Sequence, residues 1–296
     1  MNIKMKKLFV LLGVSLVVAI GFCGCGKEAE AKSKAEVEAE ATETLRTGVV
    51  TLSNGVQLKM IKVEPGSFMM GSENGESDEK PVHRVTLTKP YYLGETEVTQ
   101  AQWRAVMGNN PSYFQGDDRP VEQVSWNEAM AFCKKLNDEG KAPRGWKFTL
   151  PTEAQWEFAA RGGNRSRGYT YSGSNDVDDV AWYYGNSGRE RLDGSTWSYY
   201  ESQSNACQTH AVRQKGANEL DLYDMSGNVD EWCLDAKRIY SSSAVTDPQQ
   251  SGCYRVLRGG SWSNDANYCR VAVRGFFGLE ARGSHFGFRL ALVPVQ

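Results

Sequence analysis

The chain has 296 residues and a formal net charge of -2, from 34 Lys and Arg against 36 Asp and Glu. This balance excludes the basic face of nucleic-acid-binding proteins, so no nucleic-acid partner is expected. Eight Trp and 30 Gly predict a folded domain with a large aromatic core and many turns.

The N-terminus has the pattern of a secretory signal. Three lysines precede an apolar run at residues 8–22, which is shorter than the roughly 20 residues of a membrane-spanning helix. Gly24 followed by Cys25 resembles the signal of bacterial lipoproteins, in which the cysteine becomes the acylated first residue. The alternative is plain secretion with two unrelated cysteines. We expect a signal peptide at residues 1–24, lipidation of Cys25, and anchoring to a bacterial membrane, at the outer membrane or cell surface.

Residues 25–47 are rich in Ala, Glu and Lys and have almost no large apolar side chain. Such a composition cannot bury a core and favours an extended, partly helical segment. We therefore predict a tether that holds the folded domain away from the membrane.

Residues 48–296 are predicted to form one domain that begins with a hairpin. Residues 49–63 contain two alternating apolar runs around Asn54-Gly55, a pair typical of a hairpin turn. Residues 83–88 are predicted to form another strand.

Three helices are indicated by capping boxes. In this motif a Ser or Thr and a Glu or Gln three residues later satisfy free amides at a helix start. The pairs are Thr99 with Gln102, Ser125 with Glu128, and Thr152 with Gln155.

In the second helix, Phe132, Cys133 and Leu136 fall on one apolar face, so Cys133 is predicted to be a buried thiol. The domain has an odd number of cysteines, so at least one is expected to be unpaired. Their spacing does not reveal any pairing.

The second half of the domain is predicted to be irregular. Helical periodicity fades between residues 163 and 253, where Gly, Ser, Asn, Asp and Tyr dominate. Short strands are predicted at residues 255–260, 269–274 and 285–293. Together with the helices, these strands indicate an α+β fold that is rich in loops.

Seven sequence blocks carry a resemblance to a known family. They are EPGSFMMGS (64–72), ETEVTQAQW (95–103), PVEQVSWNEAMAFCKKL (120–136), LPTEAQWEFAARGG (150–163), NELDLYDMSGNVDEW (218–232), RVLRGGSW (255–262) and FGFRLALV (286–293). Over roughly residues 55–294 the chain resembles sulfatase-modifying domains of the formylglycine-generating-enzyme type. The resemblance implies a C-type lectin-like fold.

The enzymes of this family bind copper(I) through two cysteines five residues apart, just after the block at residues 255–262. In this chain the first position is Asn264 and the second is Cys269. An amide does not replace a thiolate on this soft metal, and related iron enzymes need a His-rich site that three scattered histidines do not supply. We therefore predict that the chain is not an enzyme. The alternative is a formylglycine-generating-type oxidoreductase that acts on protein cysteine.

The block around Asn228 and Glu231 corresponds to a calcium site in the family, built from backbone carbonyls and an acid. The resemblance implies a structural calcium ion at these two residues, since calcium prefers oxygen ligands. The alternative is a turn capped by its own side chains. No other cofactor is predicted.

The C-terminal region, about residues 258–293, carries a second resemblance. Its sequence RGGSWSNDANYCRVAVRGFFGLEARGSHFGFRLA aligns without a gap with the C-terminal repeat of the variable proteins of diversity-generating retroelements. These proteins are a non-enzymatic branch of the same fold, and adenines of an RNA template direct the rewriting of their repeat. The rewritten Asn codons of the repeat correspond to fourteen positions, here called the variable set: Ser263, Asn264, Asp265, Asn267, Tyr268, Val273, Gly275, Phe276, Phe277, Gly278, Ala281, Gly283, Ser284 and His285.

The residue types in the variable set agree with this resemblance. Randomising the first two bases of an AAC codon cannot yield Lys, Glu, Gln, Met or Trp, and none of these occurs in the set. Tyr, Phe, His, Asn, Ser and Gly are the residues that binding loops use. We expect the set to bind an extracellular protein or glycan at the cell surface.

Phe276 and Phe277 lie among glycines and are expected to be exposed in a loop, as ligand contacts. The alternative is that they fold inward as core, with the C-terminal loops serving only as a scaffold. Arg270, Arg274 and Arg289 are expected to brace the framework through carboxylates such as those of Asp265 or Glu231.

Overall fold

The computed structural model describes Thr44, residues 48–193 and residues 197–295. The predicted signal peptide, the lipidation site and the rest of the predicted tether lie outside these described residues. Thr44 is buried, and its hydroxyl donates a hydrogen bond to the carbonyl of Val49 at 3.2 Å. The chain therefore contacts the domain before the boundary that composition predicted. No described helix is both long and apolar enough to cross a bilayer.

One sheet is antiparallel and has five strands. In spatial order they are β1 (Val49–Thr51), β2 (Gln57–Val63), β5 (Tyr91–Gly94), β14 (Ala291–Pro294) and β6 (Trp146–Thr149). The β1–β2 pair confirms the predicted hairpin, and Asn54 in its turn has φ of 58°, a left-handed conformation that Asn tolerates. Because β14 lies between β5 and β6, the end of the C-terminal region is fixed inside this sheet.

Three further sheets complete the described strands. The first contains β10 (Val245–Thr246), β4 (His83–Leu87) and β3 (Gly66–Met70). The second contains β12 (Gly275–Gly278), β11 (Tyr254–Arg258), β9 (Asp230–Ala236) and β13 (Phe286–Gly287). The third pairs β7 (Ala181–Trp182) with β8 (Ser226–Gly227). Strand β4 confirms the prediction for residues 83–88, and β11 lies within one or two residues of its predicted position.

The predicted strand at residues 269–274 was wrong. Residues Ala266–Cys269 form a 3-10 helix, which begins where the carboxylate of Asp265 accepts the backbone N–H of Asn267 at 3.0 Å. A turn follows, in which the N–H of Val273 donates to the carbonyl of Arg270. Local side-chain capping and turn bonds therefore outweigh the alternating pattern, and the strand forms at β12 instead.

Three helices confirm the three predicted capping boxes. They are α1 (Gln100–Met107), α2 (Trp126–Asp138) and α3 (Glu153–Ala160), and in each box both reciprocal hydrogen bonds are present. Two shorter helices, α4 (Val177–Val180) and α5 (Tyr199–Ser204), lie in the irregular half.

The aromatic core joins the C-terminal region to the helices. The rings of Trp103 in α1 and Phe132 in α2 stack with centroids 5.5 Å apart. Phe288, which lies between β13 and β14, meets the Phe132 ring edge-on at 5.5 Å and is fully buried. Cys133 is 1% exposed, as predicted, and all five described cysteines are unpaired thiols.

Candidate ligand-binding surface

The variable set falls on the accessible parts of the C-terminal region. Tyr268, Phe276 and Phe277 are 50%, 38% and 47% exposed, and Asn267 is also exposed. All other members except Val273 are partly exposed. By contrast, the neighbouring framework residues are mostly buried, among them Trp262, Cys269, Val271, Ala272, Arg274, Phe286, Phe288 and Arg289.

Val273 is the exception and corrects the prediction for that residue. Its side chain is only 9% exposed, and its carbonyl accepts a hydrogen bond from the guanidinium of Arg258 in the interior. It therefore contributes little to a surface that a ligand can reach.

Framework side chains join the segments of the variable set. The indole N–H of Trp262 donates to the carbonyl of Ser284 at 2.9 Å, which links the segment at 263–268 to the segment at 281–285. The ring of Phe286 lies 4.8 Å from that of Phe277 and 4.3 Å from that of His285. Trp262 and Phe286 therefore connect separate segments of the variable set.

Phe276 and Phe277 lie on a strand, β12, and not in the loop that their flanking glycines predicted. The strand is at the edge of its sheet and pairs with β11. Phe276 packs beneath the ammonium group of Lys237, with Nζ 3.4 Å from the ring centroid. Both rings remain more than one third exposed, so neither belongs to the core.

Four framework arginines pair with carboxylates from distant parts of the chain. The pairs are Arg258 with Glu157, Arg270 with Glu79, Arg274 with Glu153, and Arg289 with Glu231. Every one of these glutamates is buried. Arg270, Arg274 and Arg289 therefore pair with carboxylates of the framework as predicted, and Arg258 adds a pair that was not predicted.

The Arg289–Glu231 pair is fully buried and bidentate. Nε and Nη2 of Arg289 each donate to one carboxylate oxygen at 2.6 Å, and the indole of Trp156 donates to Glu231 at 2.7 Å. The predicted role of Asp265 was different from the one observed, because its carboxylate caps the 3-10 helix instead of pairing with an arginine.

Charge pairing outweighs burial at Glu157. Burial by itself raises the pKa of a carboxyl group, but the guanidinium groups of Arg258 and Arg161 lower the pKa of Glu157 below its ordinary value. The carboxylate is therefore ionised inside the domain, and it pairs with Arg258, whose guanidinium also donates to the carbonyl of Val273.

The loop between β12 and β13 is fixed at the start of α2. Glu280 accepts a hydrogen bond from Asn127, and Nε of Arg282 donates to Glu128 at 2.9 Å. The carbonyl of Gly283 accepts the N–H of Gln123 at 3.0 Å. Glu280 and Arg282 stand at framework positions, so the residues that fix the loop alternate with variable ones.

The predicted calcium ligands are already engaged by protein groups. Both carboxylate oxygens of Glu231 accept bonds from Arg289, as described above. The amide of Asn228 donates to Glu97 at 2.7 Å, and its carbonyl oxygen accepts the N–H of His210 at 2.9 Å. A calcium ion at Glu231 would have to displace a buried guanidinium, so this donor set does not fit the ion.

The two positions of the copper cysteines hold no pair of thiolates. The side-chain oxygen of Asn264 accepts bonds from the N–H and hydroxyl of Ser261 at 2.9 and 2.6 Å. Burial raises the pKa of the Cys269 thiol well above its ordinary value. The described residues contain no cluster of three or more His, Cys, Asp or Glu that fits a metal ion.

Sequence reasoning missed Tyr113, which is 69% exposed and lines a cavity of about 490 Å³ together with Arg282. Its ring meets that of Phe114 at 4.9 Å, and Phe114 meets Trp262 at 5.2 Å. A single Tyr in a loop gives no sequence signal of this arrangement, because Trp262, which Phe114 contacts, lies far along the chain.

Comparison with known proteins identifies the family. Residues 52–293 match the model of the sulfatase-modifying factor enzyme 1-like domain. The chain belongs to this family. The predicted α+β fold of the formylglycine-generating-enzyme type is thereby confirmed.

Two relatives of this sulfatase-modifying-factor-like chain carry different functional names. It is 38% identical to chaperone protein LppX of Paenibacillus barcinonensis over 78% of this chain and 88% of that protein. It is 28% identical to the formylglycine-generating enzyme of Streptomyces coelicolor over the same two shares.

Solved structures support both the fold and the second resemblance. Variable protein 1 of Treponema denticola superposes with a TM-score of 0.71 and 34% identity, over 83% of this chain and 98% of that one. PvdO of Pseudomonas aeruginosa, at 22% identity and a TM-score of 0.62 over 83% and 98%, shares the fold. The predicted resemblance of this sulfatase-modifying-factor-like domain to variable proteins is confirmed.

Replacing Arg289 by Met tests the buried framework. The substitution leaves the Glu231 carboxylate buried without its cation, and we expect it to lower the free energy of unfolding by about 3–5 kcal/mol. Arg282→Met is the matched control, because Arg282 is exposed and pairs with Glu128 near the surface. We expect it to change stability by less than about 1 kcal/mol. Urea unfolding measures both, and equal losses would contradict this role of the buried pair.

Proposed function

We propose that this protein is a lipid-anchored, surface-displayed binding protein without catalytic activity, whose specificity is set by the accessible members of the variable set. The ligand is an extracellular protein or glycan. Retroelement-type diversification replaces the side chains of the set, and the framework stays constant. The anchoring part of the proposal rests on the lipoprotein-type sequence at residues 1–25.

One observation carries the proposal: no position of the variable set has a backbone conformation that requires glycine. None of its members has a positive φ, so the backbone conformation at these positions does not favour glycine over other L-residues. In the same C-terminal region the framework glycines Gly259 and Gly260 have φ of 97° and 70°, a conformation that favours glycine.

The glycines of the variable set differ from framework glycines in their surroundings too. A Cβ atom on Gly278 would meet nothing within 4 Å, and one on Gly275 would make only ordinary contact with Leu257. A Cβ atom on Gly260 would lie 2.6 Å from the carbonyl oxygen of Tyr268, and one on Gly287 would lie 2.8 Å from that of Val121. Gly275 and Gly278 therefore have room for a side chain, whereas Gly260 and Gly287 do not.

The geometry at Asn264 and Cys269, which correspond to the copper-binding cysteines of the enzymes, supports the absence of catalysis. Asn264 supplies an amide oxygen that is already bonded to Ser261, and Cys269 is a buried, protonated thiol. Copper(I) binding through two thiolates needs a second cysteine and a lower thiol pKa. The formylglycine-generating oxidoreductase alternative therefore lacks its metal ligands.

Four single substitutions to Ala test the division between frame and surface. We expect Gly275→Ala and Gly278→Ala to leave the free energy of unfolding within about 0.5 kcal/mol of the parent. Gly260→Ala and Gly287→Ala should lower it by about 1–3 kcal/mol, because the added Cβ meets backbone atoms. Chemical unfolding measures all four. Similar losses in both pairs would contradict the division.

Selection from a displayed library tests the binding function. The codons of the variable set, except that of Val273, are randomised, and the library is selected on phage against hen egg-white lysozyme as the probe. We expect stable, lysozyme-binding variants, because accessible aromatic and small polar side chains form adaptable contacts.

The control library randomises an equal number of exposed positions within residues 53–57, 134–144 and 241–251. We expect it to be displayed at a similar level but to yield few binders. Binders from the control as often as from the first library would contradict the proposal.

A further inference from the structure

Two members of the variable set, Gly283 and His285, compete for the same space. A Cβ atom on Gly283 would lie 2.9 Å from Cε1 and 3.1 Å from Nδ1 of the His285 ring, closer than carbon atoms normally approach. Gly278, at the end of β12, has open space at the corresponding place. The restriction at Gly283 therefore comes from a side chain and not from the backbone.

Hydrogen bonds to framework residues hold the backbone of the turn at residues 283–285 in place. The carbonyl of Gly283 accepts the N–H groups of Gln123 and Phe286, both at 3.0 Å. The carbonyl of Ser284 accepts the indole N–H of Trp262 at 2.9 Å. These bonds hold the backbone at positions 283 and 284. We therefore expect the side chain at position 285 to move when a side chain is added at position 283.

The His285 ring is itself held in place. Its centroid lies 4.3 Å from that of Phe286, which is 3% exposed and also contacts Trp232. Burial lowers the pKa of the His285 imidazole below its ordinary value. Turning the ring into solvent loses this aromatic contact and restores the solvation of the charged form.

We infer that positions 283 and 285 form one coupled specificity element with two alternative states. In one state a ring at 285 covers a glycine at 283, as in this chain. In the other a side chain at 283 projects outward and position 285 carries a small residue or a ring turned into solvent. The variety of surfaces is therefore smaller than the product of independent choices at the two positions. This inference rests on the proposed function for its meaning, although the coupling can be measured without a ligand.

A double-mutant cycle tests the coupling directly. Gly283→Ala is made in the parent and in His285→Ala, and the equilibrium constant for unfolding is measured by urea titration. We expect Gly283→Ala to raise this constant about five-fold in the parent and less than about two-fold in His285→Ala, since residues in contact are coupled. The control cycle uses Gly278→Ala with His285→Ala and should show no coupling. Equal effects of Gly283→Ala in both backgrounds would overturn the inference.

The pKa of His285 reports the position of its ring independently of the stability of the protein. In Gly283→Ala the His285 ring should turn toward solvent, and its pKa, followed by NMR, should rise toward the ordinary value for histidine. His210 is the internal reference, because burial lowers its pKa at a site that Gly283 does not touch. An unchanged His285 pKa in Gly283→Ala would also overturn the inference.

Different results would contradict the proposed binding function and the proposed coupling of positions 283 and 285. If the double-mutant cycle shows no coupling but the randomised library yields binders, the surface is diversified and its positions are independent. If the cycle shows coupling and the library yields no binders, the coupled pair is structural and the binding function is wrong. Sequenced binders add a third result, because bulky residues at both 283 and 285 should be depleted.

Discussion

Buried arginine–glutamate pairs determine which positions of the C-terminal region can change their residue type. Arg258, Arg274 and Arg289 come from that region, and their carboxylate partners come from α3 and β9. Removing one member of a buried pair leaves a charge in the interior without compensation, which is far more costly than most surface changes. These pairs hold the backbone of the C-terminal region through framework residues, so most of the accessible side chains between them make few buried contacts.

The residues that stabilise the domain therefore differ from those that the proposed function assigns to recognition. The framework supplies the buried ion pairs, the aromatic contact of Phe288 and the glycines with positive φ. The variable set, apart from Val273, supplies accessible side chains, and none of its positions has a positive φ. Under the proposed function, such a surface changes its chemistry at little cost in folding free energy, as binding loops on other rigid scaffolds do.

Local signals in the sequence predicted the local structure well. The three capping boxes and the Asn54-Gly55 hairpin follow from bonds between residues close in the chain, and all are present. The strand predicted at 269–274 was wrong because local capping and turn bonds shape this segment, while Arg270 and Arg274 of the alternating pattern pair with distant glutamates. Arg274 and Glu153 are 121 residues apart, and no single sequence reveals such a pair. The burial of Val273 and the conflict between Gly283 and His285 depend on the same tertiary packing.

Sequencing the 3′ end of this gene in independent isolates tests most directly whether a diversified surface sits on a constant frame. Amino-acid differences are expected to concentrate at the codons of the variable set, while the framework codons between residues 258 and 293 stay constant. Differences spread evenly over variable and framework codons would contradict a diversified binding surface.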